Sequence, residues 1–311
     1  MERRMEQKLK VLITGATGTI GSAFIKMHDQ YEFYNISRNE KSLTELSRTH
    51  PNVISHVGNI EDRDFMIRVF KQVQPDIVIH AAAMKHINIA EENPIQACNV
   101  NVIGSLNVIA AAIAADVPIT IGVSTDKACS SQSVYGDTKS LMEKCFIQAN
   151  TPRNKFALCR FANVAHSNGS VLPFWLNLAK TNQPLKLTNP DMNRLIFSQQ
   201  DAVSLIQKTI DTCTAKTGGF ICSFKMKTVN MLELAQTISD NIEIVGNRAG
   251  EKLNEDLISE SEIDYTYVYD NMVYIYQEKN TGTNKLPEEY SSETAEKMTK
   301  TELTNLIWSN Q

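Results

Sequence analysis

The chain has 311 residues, 42% of them hydrophobic, enough for one large core with a smaller appended unit. Its 31 basic residues are scattered among 35 acidic ones, giving a net charge of -4. That balance leaves no electrostatic footprint for nucleic acid or an anionic membrane, so an anionic ligand must be met locally. The six cysteines form no C-x-x-C pair and the six histidines no ligand spacing, so the expectation is reduced core thiols and no metal site.

The charged stretch 1–10 leads into a first strand, "KVLITGA", without the apolar run of a secretory signal, and the expected location is cytoplasmic. Next, "LITGATGTIGSAF" sets Gly15, Gly18 and Gly21 on a strand-to-helix turn, with Thr17, Thr19 and Ile20 between them. Absent side chains let the backbone approach a pyrophosphate, and the helix N-terminus adds N–H donors and partial positive charge. The second strand, "EFYNISR", ends at Ser37 and Arg38 rather than at a carboxylate. A hydroxyl and a guanidinium suit a ribose 2'-phosphate, which favours NADP over NAD, with a solvent-facing arginine as the alternative.

The third strand, "VISHVGN", leads to Asn59 and Ile60, where an adenine would lie, and the fourth, "DIVIHAA", to the small residues Ala81, Ala82 and Ala83 beside the nicotinamide end. His80 alone reads as a core histidine held by backbone. A long apolar segment follows, in which "VIAAAIAA" at 108–115 is much shorter than the roughly 20 residues of a membrane span, so no membrane attachment is expected. The fifth and sixth strands are "ITIGVST" and "FALCRFANV". Six strands joined by helical crossovers predict an α/β fold, a Rossmann-type doubly wound parallel sheet. The dinucleotide-binding domain is expected over 1–165 and a smaller, interleaved substrate-binding region over 166–311, with 194–215 packing back on the sheet.

After the fifth strand comes "STDKACSSQSVYGDTK". Tyr135 and Lys139, four apart on one helix face with Thr125 upstream, suit a proton acceptor beside a cation. The cation lowers the phenol's pKa, and the phenolate takes a proton from a sugar hydroxyl while hydride leaves the carbon. Asp126 and Lys127 go beyond what such an oxidation needs. For this pair a solvated charge pair in a loop is the alternative.

With "AAAMKHINIAEENP", "STDKA", "YGDTK", "RFANV", "PDMNRLIF" and "AGEKLNEDLIS" in this order, the chain resembles the extended short-chain dehydrogenase/reductases. Within them it is most similar to the soluble, inverting UDP-N-acetylglucosamine 4,6-dehydratases of surface-sugar pathways. The similarity runs from Lys10 to the C-terminus. It implies oxidation at C4 of the hexose, loss of water across C5 and C6, and return of hydride to C6. Asp126 would protonate the leaving C6 oxygen and Lys127 would remove the C5 proton. Tyr135 stands where members retaining the C5 configuration usually have Met, which favours inversion. The resemblance also places Lys85 beside cofactor and hexose, His86 and Asn163 on the hexose, and Arg194, Arg248 and Glu251 on the uridine diphosphate. It further implies a homo-oligomer.

Surface ion pairs are the alternative for Arg248, Glu251, Lys252 and Glu255, because alternating charges often form a solvated face. Ala162, His166, Asn168, Ala249 and Asn254 depart from the family pattern and leave the exact nucleotide sugar open. A UDP-hexose 4-epimerase with the same Thr125, Tyr135 and Lys139, or a C5-retaining dehydratase, are the rival activities.

Overall fold

The computed structural model describes residues 8–248 and 250–308. The six expected strands form: β1 (Lys10–Thr14), β2 (Glu32–Ser37), β3 (Ile54–Val57), β4 (Ile77–His80), β5 (Ile119–Thr125) and β6 (Lys155–Phe161). They lie parallel in the order β3-β2-β1-β4-β5-β6. The order reverses between β1 and β4, which opens a crevice at their C-terminal ends, where ligands of such sheets bind.

β1 shows why the sheet is double-sided. Val11 and Ile13 pack into the core on one face, and Leu12 joins Ile36 and Val78 in the core on the other. A central strand buried on both faces needs an unbroken apolar run, and "VLI" supplies one.

The sheet is larger than the alternation of elements predicts. Strand Phe220–Phe224 adds in parallel to β6, and the hairpin Thr266–Tyr269 and Met272–Tyr276 continues antiparallel to give nine strands. Helix Gln199–Ala215 packs against β5, β6 and the first helix, α1 (Thr19–Met27). The C-terminal half therefore contributes three strands and a helix to the nucleotide-binding layer. What remains of it forms a separate small core around Trp175, Leu185, Met192, Leu234 and Leu303.

The apolar segment after β4 is also longer than "VIAAAIAA". Pro94–Ala114 runs as one 21-residue helix, with a π-helical stretch over Asn99–Ile103. By length and composition it passes for a membrane span, and 61% of its most apolar window is buried. Val108, Ala111 and Ala112 pack on Met66, Val69 and Phe70 of helix Arg63–Val73 in the same core.

Candidate functional site

Residues at the crevice surround one cavity of about 850 Å³. Its floor is the glycine turn. Gly15 has φ +81°, and a Cβ there would lie 3.0 Å from the Ala82 backbone, so only glycine lets β1 and β4 exit this close together. Beyond the turn α1 follows its N-cap, Gly18, with no side-chain cap and no acidic residue in its first turn. Helix Glu40–Thr49, helix Arg63–Val73 and helix Val134–Ala149 are instead capped by Asn39, Asp62 and Ser133. The first-turn donors of α1 are thus left for an anion, and the donor set fits a dinucleotide pyrophosphate.

Thr17, Thr19, Ile20, Gly21, Ser37, Arg38, Asn59, Ile60, Ala81 and Ala83 line the same cavity. Thr17 and Ser37 hydroxyls are 3.2 Å apart. Arg38 is exposed and reaches Glu61 at 4.0 Å, and Glu61 in turn accepts from Asn59 and Gln96. His80 lies below, fully buried, bonded to Thr14 Oγ1 (2.7 Å) and Ser105 Oγ (2.9 Å), so hydroxyls and not backbone hold it. Burial, with the Lys139 charge adding to it, lowers its pKa to about 3 and keeps it neutral.

At the end of β5 the chain makes a short 3₁₀ turn over Asp126–Ala128. The helix carrying Tyr135 and Lys139 starts flush against it: a Cβ on Gly136 would fall 2.2 Å from the Lys127 carbonyl oxygen. The glycine after Tyr135 is what allows phenol and "DK" turn to share one wall. Asp126 is fully buried. Its Oδ1 accepts from Thr125 Oγ1 (2.8 Å), Lys127 N (2.9 Å) and Lys127 Nζ (3.0 Å), while Oδ2 has no partner. Lys127 Nζ also donates to Asn163 Oδ1 at 3.3 Å. Thr125, Lys127, Tyr135, Lys139 and Asn163 face the cavity, whereas Asp126 lies behind its wall.

One electrostatic expectation needs correction. Tyr135 is not brought down by its lysine. Burial raises its pKa well above the ordinary value, the Thr125 hydrogen bond opposes this, and the Asp126 charge adds to the rise. Lys139 Nζ donates to Val123 O (2.6 Å) and Met142 Sδ (3.0 Å), and burial lowers its own pKa to about 8. For Glu255 the alternative of a solvated surface pair is ruled out, since it is 2% exposed.

The far wall carries the remaining sequence candidates. Lys85 Nζ donates to Asn168 O (2.6 Å), and Asn168 N donates to Thr19 Oγ1 (2.9 Å), so one loop spans from the glycine turn to Lys85. Gly169 in that loop brings its backbone against the His86 ring. His166, at φ +56°, turns away from the cavity to bond Leu306 O. Arg194, Arg248 and Glu251 line the cavity. Arg194 spends both terminal nitrogens on the carbonyls of Asn193, Leu253 and Lys252, and so pins that segment. Glu251 accepts from Arg248 N at 3.2 Å. Asn254 accepts from Asn193, and Ala249 lies outside the described residues.

A family model described as "Polysaccharide biosynthesis protein" matches residues 11–277. The chain belongs to this family. It is 34% identical to a Campylobacter jejuni protein named UDP-N-acetylglucosamine 4,6-dehydratase (inverting), over 86% of this chain and 82% of that one. It is also 34% identical to an uncharacterized membrane protein of Methanocaldococcus jannaschii, over 96% and 94%. Among solved structures, Pen from Bacillus thuringiensis superposes with a TM-score of 0.90 at 28% identity, over 98% of both chains.

Sequence reasoning missed Asn101. Fully buried in the π-helical stretch, it accepts from Met84 N (2.8 Å) and donates to Met84 O and Thr138 Oγ1 (3.0 Å each). It thus ties the loop after β4 to the helix of Tyr135. A π-turn aims a side chain that a regular helix would not. Trp175 and Lys186 also line the cavity and were not anticipated.

Proposed function

We propose that the protein is a UDP-N-acetylglucosamine 4,6-dehydratase that uses NADP and inverts C5. The observation that carries this reading is the buried Asp126–Lys127 pair beside Tyr135, one acid–base set more than an oxidation at C4 requires. The bound nicotinamide would accept hydride from C4 and return it to C6.

The chain's own residues supply the proton transfers. Tyr135 takes the proton of the C4 hydroxyl. Burial keeps this phenol protonated at rest, so it acts as a base only after its own proton has passed to solvent, a loss that the positive charge of a bound oxidised nicotinamide would favour, with Lys139 one helical turn on to hold the phenolate. Once C4 is a ketone, Lys127 removes the acidified C5 proton. Asp126, through its unpartnered Oδ2, protonates the departing C6 oxygen. Lys127 reaches the cavity and Asp126 does not, so the acid acts after a small movement of the 3₁₀ turn.

Incubation with UDP-N-acetylglucosamine is expected to give a product lighter by one water, with C5 inverted by NMR. A product of unchanged mass, epimerised at C4, would establish the epimerase reading instead.

For the cofactor, Ser37 and the exposed Arg38 support NADP over NAD. Arg38→Ala should weaken NADP binding about tenfold more than NAD binding in calorimetry, the loss of a charge-assisted contact. Equal effects on both would remove the 2'-phosphate assignment.

A further inference from the structure

An inverting elimination faces a problem that the Asp126–Lys127 pair alone does not solve. The ammonium formed when Lys127 takes the C5 proton lies on the face the proton came from. Returning it there would restore the original configuration. Inversion therefore requires that C5 be reprotonated from the opposite face while the Lys127 proton is kept from returning, and that Lys127 shed that proton before the next turnover.

Behind Lys127 lies a group suited to receive it. Glu255 is 2% exposed and does not line the cavity, yet its Oε1 is 3.9 Å from Lys127 Nζ. Lys127 thus stands between the cavity on one side and a buried carboxyl on the other. Glu255 is held there by its backbone: its N–H donates to Ser292 Oγ (2.9 Å), and Ser292 N donates back to its carbonyl (2.9 Å).

The other charged groups around Glu255 are Asp126, Arg194 and Lys252. Arg194 is committed to three backbone carbonyls, and Lys252 to Ser130 O (2.5 Å) and Asp256 (3.5 Å). Asp126 is itself a carboxyl and repels a second negative charge. Lys127 is the neighbour left to exchange a proton with Glu255.

We propose that Glu255 is the proton exit behind the base: it takes from Lys127 the proton that Lys127 has taken from C5. An N–H bond of the Lys127 ammonium breaks and an O–H bond forms on Glu255, leaving a neutral amine and a neutral acid; the proton then returns through Lys127 to Asp126, whose Oδ1 is 3.0 Å away and which gave its own to the departing water. Glu255 touches no substrate and acts through Lys127. Burial raises its affinity for a proton, Lys127 pulls against this, and the Asp126 charge raises it again, with the net change upward. Such a carboxyl holds the proton while C5 takes one from solvent on the opposite, cavity side.

The inference rests on the dehydratase reading, and turnover of UDP-N-acetylglucosamine in deuterium oxide separates the two. The unaltered protein should give dehydrated product, inverted and deuterated at C5. Its failure to lose water would defeat the dehydratase reading and the proton exit with it. With that activity present, Glu255→Gln should lower kcat about 100-fold while cofactor reduction by substrate persists. Its residual product should contain more molecules with the original C5 hydrogen and the original configuration, from internal return by Lys127. Raising the pH should recover part of the rate, because hydroxide can then discharge the ammonium. Glu255→Asp, which keeps the acid but sets it back by one methylene, should show an intermediate partition and serves if the Gln variant does not fold. A Gln or Asp variant whose product is as inverted and as deuterated as that of the unaltered protein, with an unchanged pH profile, would overturn the proposal.

Discussion

Arg160 on β6 lies between Glu143 and Glu262, and Lys127 at the end of β5 lies between Asp126 and Glu255. Each cluster buries one cation between two carboxyls, and the two differ in how completely the bonds are made. Arg160 forks onto Glu143 with bonds of 3.0 and 2.7 Å, onto Glu262 with 2.9 and 2.8 Å, and onto Leu257 O with 2.8 Å. Every strong donor direction of the guanidinium is used. In the other cluster Asp126 Oδ2 has no partner, and Glu255 approaches Lys127 only to 3.9 Å. A satisfied buried cluster fastens elements together, here β6, the Tyr135 helix and the segment 257–262. A half-satisfied one stands at higher free energy and has protons to move.

The largest effect should come from the open cluster, read as activity. Lys127→Ala should cut dehydration about 10²- to 10⁴-fold, the range for a positioned acid or base, while the substrate still reduces the cofactor. Single-turnover absorbance would show reduced cofactor accumulating without water loss. Near-normal dehydration would reduce the pair to a loop ornament and end the contrast.

The closed cluster should answer in stability instead. Arg160→Ala leaves two carboxylates in a region where Arg160 itself is 1% exposed, and breaking such a network costs about 3–5 kcal/mol. Urea unfolding is the measurement. A loss below about 1 kcal/mol would mean that the fork fastens nothing.

Acid should loosen the same cluster. Against the desolvation that opposes it, the Arg160 guanidinium, with the Ser259 N–H, lowers the Glu262 pKa from 4.5 to about 2. The folded state therefore binds fewer protons than the unfolded one between those values. The stabilisation, roughly 3 kcal/mol for such a shift, is fully present above pH 4.5 and is lost as pH falls through about 2. In Glu262→Gln the fall of stability over that window should be shallower by this amount.

How much of this was legible in the sequence follows from how local each feature is. The glycine turn, the "DK" turn and the Tyr135–Lys139 pair are each set within one or two turns of chain, so spacing alone displayed them. The burial of Glu255 could not be read because it depends on Ser292, 37 residues away, and Asn101 was missed because a π-turn leaves no periodic trace. Arg160 gave no sign at all, since its partners lie 17 and 102 residues away. The extra hairpin did leave a signal. "YTYVYDNMVYIY" alternates around Asp270–Asn271, with Asp270 at φ +53°, which is hairpin chemistry, yet it was expected only as part of the substrate-binding region over 166–311.

The most discriminating comparison makes one chemical change in each cluster, carboxylate to amide. In Glu143→Gln an N–H₂ faces guanidinium donors, so at least one charge-assisted bond is lost and donor meets donor. The expected cost is about 1.5–3 kcal/mol. In Asp126→Asn the amide oxygen can keep the bonds from Thr125 and Lys127, and the amide nitrogen replaces an oxygen that had no partner and carried charge. Lost attraction to Lys127 is then offset by relief from burying a charged oxygen, Oδ2, that has no partner, and the net change should stay within about 1 kcal/mol, of either sign. Dehydration should nonetheless fall, because the acid is gone. A stable but inactive Asp126→Asn beside a destabilised Glu143→Gln would show that the two clusters divide labour between fastening and proton transfer. Equal destabilisation of both would show that the missing bond at Oδ2 is made up by some other partner, and that the open cluster is fastened as firmly as the closed one.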